Sequence, residues 1–159
     1  MRKISELLAS RPSKSQFVVS CSTPVLEAIQ QLVFNNLTSL LVMDGDTLVG
    51  VLSPKGLLLR LATGRGDFAG LTVRDVMSLD IAYATPETDL SECMAMMTGY
   101  VNGAMPVLMQ GKLIGIVEMR EVTREYMAEP ANQRKATAQP SFSKAPIAPW
   151  RQPSASALS

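Results

Sequence analysis

The 159-residue chain contains no histidine. Histidine is the side chain most often used as a general base and as a metal ligand near neutral pH, so Ser-His-Asp and Cys-His catalytic systems and His-ligated metal sites are excluded. Cysteine is also scarce, because Cys21 and Cys93 are the only two. Two cysteines are too few for a disulfide framework, and we expect both to be reduced, small apolar side chains.

Long hydrophobic runs are missing as well. No apolar stretch approaches the roughly 20 residues that a membrane-spanning helix needs, and the first residues lack the apolar segment and cleavage site of a secretory signal. Hydrophobic residues nevertheless make up 47% of the chain and charged residues only 18%, a composition that supports a buried core. We therefore expect a soluble, cytoplasmic protein that folds over most of its length and has no membrane partner.

Most of the chain has no excess of positive charge. Residues 130–159 contain four basic side chains and no acidic one, which leaves 11 basic and 14 acidic side chains in residues 1–129, a net charge of −3. Binding to a nucleic-acid backbone needs a dense positive surface. Nucleic acid is therefore not an expected partner.

Residues 130–159 are rich in proline, alanine, serine and glutamine. Prolines remove backbone donors and favour extended polyproline geometry, and few large apolar side chains are present to form a core. We predict a disordered C-terminal tail. The segment 145–151, which contains Trp150, is a candidate docking peptide for a protein partner, although an ordinary solvated tail is the simpler interpretation.

An internal repeat becomes visible when the chain is compared with itself at an offset of 65 residues. Each copy has four apolar residues at the i, i+3, i+4, i+7 spacing of one helix face. The aligned sets are Val25, Ala28, Ile29 and Leu32 in the first copy, and Leu90, Cys93, Met94 and Met97 in the second.

The repeat continues into two strands and a second helix. Residues 39–43 and 48–52 align with 104–108 and 113–117, and glycine-containing turns between them predict a hairpin in each copy. A second helix is predicted over residues 54–61 and 119–127, and Ser53 is a good start signal for the first of these.

Each copy also opens with a similar short segment, residues 4–8 and 73–77. Thr72 and Asp75 form a predicted capping box at the second opening. We therefore predict an α/β (α+β) protein of two β-α-β-β-α units, with repeat 1 at residues 1–62, a linker at 63–71, repeat 2 at 72–129 and the tail at 130–159. Since neither unit would bury much surface alone, we expect them to pack face to face in pseudo-two-fold symmetry.

This arrangement resembles a tandem pair of CBS domains, the regulatory module named after cystathionine β-synthase. The resemblance covers roughly residues 3–127 and occurs in both halves, which makes it specific. The stretches that carry it are residues 73–77, the helix start at 26–28, residues 105–107, and the paired strands at 47–52 and 112–117.

The resemblance implies a sensor rather than a catalyst. Such pairs commonly hold adenosine nucleotides in the clefts between repeats and commonly dimerise into flat discs. In the family, a hydroxyl residue and an aspartate after the second hairpin strand contact the phosphate and ribose. Here the first repeat has Ser53 and Gly56 at those two positions, and the second has Glu118 and Glu121.

The resemblance also places contacts to a flat base at Val18 and Val19 of the first repeat and at Ile81 and Ala82 of the second. Ordinary core strand is the alternative for each of these residues. Lys55 and Arg120 occupy equivalent positions in the first turn of a helix. They are either part of a phosphate cradle with the helix N–H groups or simply extend into water.

Three functions are compatible with this pattern. The leading hypothesis is a non-catalytic regulatory module that binds an adenine nucleotide, with or without magnesium, and changes how it contacts a partner; a homodimer is expected, and no covalent cofactor. The second is a ligand-free dimerisation or adaptor module, which Gly56 and Glu118 favour. The third is a divalent-cation sensor that uses Glu118 and Glu121. The ligand-binding candidates are Val18, Val19, Ser53, Lys55, Ile81, Ala82, Arg120 and Glu121.

Overall fold

Helices and strands are short throughout the computed structural model, which describes residues 2–9, 15–64, 67–100 and 104–133. No helix of this described part is long and apolar enough to cross a membrane. Single 3-10 turns lie at Ser15–Phe17 and Ala131–Gln133. The main elements are α1 (Ile4–Leu8), β1 (Val18–Ser20), α2 (Val25–Phe34), β2 (Leu40–Asp44), β3 (Thr47–Leu52), α3 (Pro54–Ala62), α4 (Val73–Val76), α5 (Leu90–Tyr100), β4 (Ala104–Met109), β5 (Lys112–Glu118) and α6 (Met119–Ala128). The predicted tail beyond residue 133 lies outside the described residues.

The first unit is built on a three-stranded sheet. Strand β1 pairs with β2 in parallel, and β2 pairs with β3 antiparallel. The hairpin turn contains Gly45, whose φ of 59° is the left-handed conformation that glycine adopts without strain. The apolar face of α2 covers the sheet, and Val25 and Ala28 are completely buried. This order agrees with the predicted β-α-β-β-α pattern.

The second unit has a two-stranded sheet, β4 paired antiparallel with β5. The predicted first strand of this unit is reduced to one parallel bridge at Ala84, which donates to Pro106 O at 2.9 Å and accepts from Leu108 N at 2.8 Å. Shortly before, Ser78 exchanges two backbone hydrogen bonds with Val51 of β3, at 2.8 and 2.9 Å. Residues 78–84 thus pair first with β3 of the other unit, at Ser78, and only then with the sheet of their own unit, at Ala84.

The short opening helix α1 belongs to the core of the second unit. Ile4 is completely buried there, together with Leu90 and Met97. Backbone bonds hold the segment in place, since Ile4 N donates to Thr88 O at 3.0 Å and Leu90 N donates to Arg2 O at 3.1 Å. The segment that opens the first repeat in the sequence therefore completes the second unit in space.

Helix α4, which opens the second repeat in the sequence, belongs to the core of the first unit. Val73 is completely buried in the core of the first unit, its N–H donates to Thr23 O at 2.8 Å, and Arg74 N donates to Cys21 O at 3.0 Å. The predicted capping box is confirmed, because Thr72 N donates to the Asp75 carboxylate at 2.9 Å. Each unit is thus completed by the opening helix of the other, and the two are joined by exchanged segments.

A third cluster of buried side chains lies between the units. Strands β3 and β5 come together there, and the cluster joins both sheets into one structure with the predicted face-to-face packing. Its members are Phe17, Leu41, Leu48 and Val51 from the first unit, and Ile81, Ala104, Leu108 and Ile116 from the second.

Both cysteines are free and buried, as predicted. Burial raises the pKa of the Cys93 thiol from an ordinary 9.0 to about 12, and the nearby Glu92 carboxylate adds to the shift. The folded state therefore holds the neutral thiol while the unfolded chain ionises, so this contribution to stability is complete below pH 9 and is lost as the pH rises toward 12.

We expect the wild type to lose about 1.4 kcal/mol more stability than Cys93→Ala between pH 8 and pH 10, since each pH unit above the unfolded pKa is worth about 1.4 kcal/mol. Urea unfolding at both pH values measures the difference. Equal losses in the two proteins would show that Cys93 ionises as readily in the fold as outside it.

Candidate ligand-binding cleft

A cavity of about 310 Å³ lies between the two units. The first unit contributes the start of its sheet and the loop between α2 and β2, and the second contributes the start of β4 and the junction between β5 and α6. The lining residues are Gln16, Phe17, Asn35, Asn36, Leu37, Thr38 and Ser39 from the first unit, and Ala104, Glu118, Met119 and Arg120 from the second.

The polar wall of this cleft is the loop that follows α2. Asn36 has a φ of 52°, a left-handed conformation that asparagine tolerates better than most residues, and this lets the chain leave the helix sharply. Leu37 N then donates to Leu32 O at 2.9 Å. Gln31 fixes the neighbouring wall, because its amide donates to Gln16 O at 2.9 Å and to Val18 O at 3.1 Å.

Two ionisable side chains lie at the opposite wall. The Glu118 carboxylate pairs with the Arg120 guanidinium, with 2.7 Å between Oε2 and Nε. Glu118 and Glu121 also form a reciprocal capping box at the start of α6, in which Glu118 N donates to the Glu121 carboxylate at 2.9 Å. Arg120 is thus the only predicted ligand residue among those that line the described cleft.

Glu121 lies beside the cleft without lining it. Its carboxylate is occupied in capping α6. Lys55, the equivalent of Arg120, is exposed on α3 of the first unit. Lys55 does not line the described cleft, which contains Arg120 without its repeat counterpart.

Ser53 caps α3, because its hydroxyl accepts from Gly56 N at 3.3 Å. We expect Ser53→Ala to lower the free energy of unfolding by about 1 kcal/mol, the usual cost of removing a serine N-cap. Urea unfolding measures the loss, and Ser53→Asp serves as the control because aspartate caps equally well. A wild-type stability in Ser53→Ala would show that the hydroxyl is not needed as a cap.

The four predicted base contacts divide into two pairs. Val18 and Ile81 pack in the cluster between the units. Val19 lies in the core of the first unit and Ala82 in that of the second. The structure thus brings Val18 and Ile81 close to the region between the repeats and leaves Val19 and Ala82 as core side chains.

A second cleft is expected by pseudo-symmetry beside Ser53 and Lys55. At an offset of 65 residues, the counterparts of Asn36, Leu37 and Thr38 are residues 101–103. These lie outside the described residues.

Another cavity, of about 280 Å³, lies between α1, α5 and α6 and is lined by Arg2, Lys3, Glu6, Leu7, Leu90, Arg124 and Glu125. Its charges are paired. Arg2 bonds to Glu125, and Lys3 bonds to Glu87 just outside the cavity, which raises the pKa of the Lys3 ammonium. These bonds tie the start of the chain to the second unit.

No group of three or more histidine, cysteine, aspartate or glutamate side chains with metal-binding spacing occurs in the described ranges. The two carboxylates of the predicted cation site, Glu118 and Glu121, both accept from backbone N–H groups in the capping box of α6. Magnesium binding stays a prediction.

Sequence reasoning missed the loop residues Asn35, Asn36, Thr38 and Ser39. Their signal is a polar run between an amphipathic helix and a buried strand, with an Asn-Asn pair at the helix end. Such a run also describes an ordinary surface turn, so only the packing of the second unit against it identifies the site.

Comparison with known proteins agrees with this geometry. The CBS domain family matches residues 4–63 and 73–128, the two repeats in turn. The chain belongs to the CBS-domain family. The exchanged opening segments therefore belong to a CBS pair, in which the cleft at Glu118 lies between the two CBS repeats. A comparison with curated proteins finds no match.

Solved structures of CBS pairs are similar over nearly their whole length. CBSX2 from Arabidopsis thaliana, in complex with AMP, is 29% identical with a TM-score of 0.62, and the match covers 79% of this chain and 96% of that one. The CBS pair of protein MJ0100, in complex with 5′-methylthioadenosine and S-adenosyl-L-methionine, is 20% identical with a TM-score of 0.61, over 79% and 96%. A CBS domain-containing protein from Thermotoga maritima is 20% identical with a TM-score of 0.65, over 82% and 97%.

Proposed function

We propose that this CBS pair is a non-catalytic regulatory module that binds an adenine nucleoside or nucleotide in the cleft between its repeats and relays occupancy to a partner. The observation that carries the proposal is the cavity of about 310 Å³ that residues of both repeats line together. Its volume falls at the lower end of the usual range for small-molecule sites. The AMP complex of CBSX2, which is 29% identical, supports the choice of ligand.

The lining suits a nucleoside because it offers both apolar and hydrogen-bonding groups. Phe17, Leu37 and Met119 provide apolar surface for a flat base. Asparagine amides and the Thr38 and Ser39 hydroxyls both donate and accept hydrogen bonds, as the edge of a base and a ribose require. A ligand in contact with both walls binds best at one relative position of the repeats, and so shifts the population that a partner recognises.

The test is thermal unfolding of the full chain, freed of copurified nucleotide, with adenosine, AMP, ADP, ATP and the guanine equivalents, each with and without magnesium. A ligand that binds the native state raises its melting temperature. We expect a shift with adenine ligands that Thr38→Trp, which fills the cleft, abolishes. Thr47→Trp is the control, because Thr47 is exposed on β3 away from the cleft.

Other outcomes would favour the alternatives. No shift with any adenine ligand at millimolar concentration would contradict the proposal and favour the ligand-free adaptor. A shift with magnesium alone would favour the cation sensor. A protein partner for the tail and a cytoplasmic location are further proposals.

We also propose that the chain forms a homodimer through the helices of the first unit. Helix α2 presents Leu26, Val33 and Phe34 to solvent, and Phe34 is 83% exposed. Helix α3 presents Leu58, Leu59 and Leu61. Leu26 and Val33 are seven residues apart and so share one face of α2. The resemblance implies that CBS pairs commonly dimerise. A second copy of this chain is therefore the proposed partner for this apolar surface.

Phe34→Glu is expected to convert the dimer to a monomer, because two charged side chains would be placed in an apolar interface. Light scattering after size-exclusion chromatography measures the mass, which should fall by half. Met109→Glu is the matched control, since Met109 is an exposed apolar residue on the β4–β5 hairpin. An unchanged mass for Phe34→Glu, or a monomeric wild type, would contradict the proposed interface.

A further inference from the structure

The charge in the cleft between the repeats is arranged with the negative group inside. Glu118 and Arg120 are the two ionisable residues of its described lining. The Glu118 side chain is only 14% exposed, whereas that of Arg120 is 80% exposed. The carboxylate is therefore partly withdrawn from water at the wall, and the guanidinium that pairs with it lies on the solvent side.

The start of α6 is already occupied by carboxylates. Phosphate groups bind to helix N-termini because unpaired N–H groups and the helix dipole attract an anion there. Here the Glu118 side chain accepts from the N–H of Glu121, and the Glu121 side chain accepts from the N–H of Glu118. The position that a phosphate would take at this helix is thus filled by side-chain anions.

The equivalent position in the first repeat shows the contrast. Ser53 stands where Glu118 does, 65 residues earlier, and its neutral hydroxyl caps α3. A neutral cap does not repel an anion that binds at the start of the helix. Glu118 places a full negative charge at the corresponding point of the second repeat.

A phosphate monoester carries about −1.5 to −2 charges near pH 7. Beside Glu118 it would meet a like charge in a partly desolvated site, and Arg120, the one cation in the described lining of the cleft, is already engaged with that carboxylate. Like charges brought together at a binding site oppose association. Ribose hydroxyls and amino groups, in contrast, donate to a carboxylate in charge-assisted hydrogen bonds.

We infer that this cleft takes an adenine nucleoside without a phosphate group, and that Glu118 is the residue that excludes phosphate. The inference rests on the proposed function and narrows its ligand class to nucleosides with a neutral or positively charged 5′ substituent. The ribose hydroxyls, or a hydroxyl or amino group on that substituent, donate to Glu118. Arg120 holds the carboxylate in position from the solvent side.

The test is isothermal titration of the full chain with adenosine, 5′-methylthioadenosine, S-adenosylmethionine, AMP and ATP in the absence of magnesium. We expect at least one of the three phosphate-free ligands to bind tenfold or more tightly than AMP. Glu118→Ser, which restores the cap found at Ser53, is expected to raise AMP affinity at least tenfold. Glu27→Ser is the matched control, because Glu27 is an exposed glutamate in the first turn of α2 and lies outside the cleft.

Two results would overturn the inference while leaving the proposed function intact: tighter binding of AMP than of every phosphate-free ligand by the wild type, or the same ligand preference in Glu118→Ser as in the wild type. An equal effect of Glu27→Ser would show that overall charge rather than Glu118 decides, and would also overturn it. Absence of binding by all five ligands would overturn the proposed function itself.

Discussion

Replacing Ile4 by alanine is expected to lower the free energy of unfolding by about 2–5 kcal/mol, the usual cost of truncating a buried isoleucine. Ile4 has no exposed surface and packs in the core of the second unit. Its helix has only five residues, too few to be stable without tertiary contacts. Loss of this anchor side chain therefore also weakens the docking of α1.

Urea unfolding at constant pH measures the change, and Ser5→Ala is the matched control. Ser5 is the next residue of the same helix and is exposed, so its replacement should change stability by less than about 0.5 kcal/mol. If Ile4→Ala also changed the free energy of unfolding by less than about 0.5 kcal/mol, α1 would not be docked on the second unit in solution. The exchange of opening segments would then be absent.

Gly50→Ala is expected to destabilise the protein by about 1–3 kcal/mol through overpacking. A Cβ atom at Gly50 would lie 2.6 Å from Met77 Sδ and 3.0 Å from the carbonyl oxygen of Ser78. The methionine can move, but the carbonyl accepts from Val51 N at 2.9 Å and is fixed by it. Relief of the clash therefore requires the bridge between Ser78 and Val51 of β3 to shift.

The pseudo-symmetric glycine provides the control for this prediction. At Gly115 a Cβ would lie 2.6 Å from Leu8 Cδ2, the far end of a flexible side chain, and no backbone atom is as close. Gly115→Ala should therefore cost less than about 1 kcal/mol, since alanine also loses less chain entropy than glycine on folding. Melting curves that show equal losses for Gly50→Ala and Gly115→Ala would contradict the role assigned to the Ser78 carbonyl.

Much of the fold could be predicted from local patterns. The apolar faces of α2 and α5 repeat at helical spacing because one side of each helix covers a sheet. The hairpins are signalled by glycine turns between apolar strands, and the capping box at Thr72 by two residues alone. In each case the physical cause lies within a few neighbouring residues, so the sequence displays it directly.

The candidate site could be predicted only in part. The repeat offset pointed to Arg120 and drew attention to Glu118, because these positions align with Lys55 and Ser53. The polar loop at residues 35–39 was missed because its role depends on the surface of the other repeat placed against it. Whether Glu121 caps a helix or faces a ligand also depends on rotamers that spacing does not specify.

By itself, the sequence determined that this protein has two similar units of mixed helix and strand, that histidine chemistry is absent, and that a glutamate stands where the first repeat has a serine. The tertiary structure decided which core each opening helix completes, that a cleft forms between the loop after α2 and the start of α6, and that Glu118 faces it. Local patterns record short-range preferences, whereas burial of a five-residue helix and the walls of an interface depend on contacts between residues far apart in the chain.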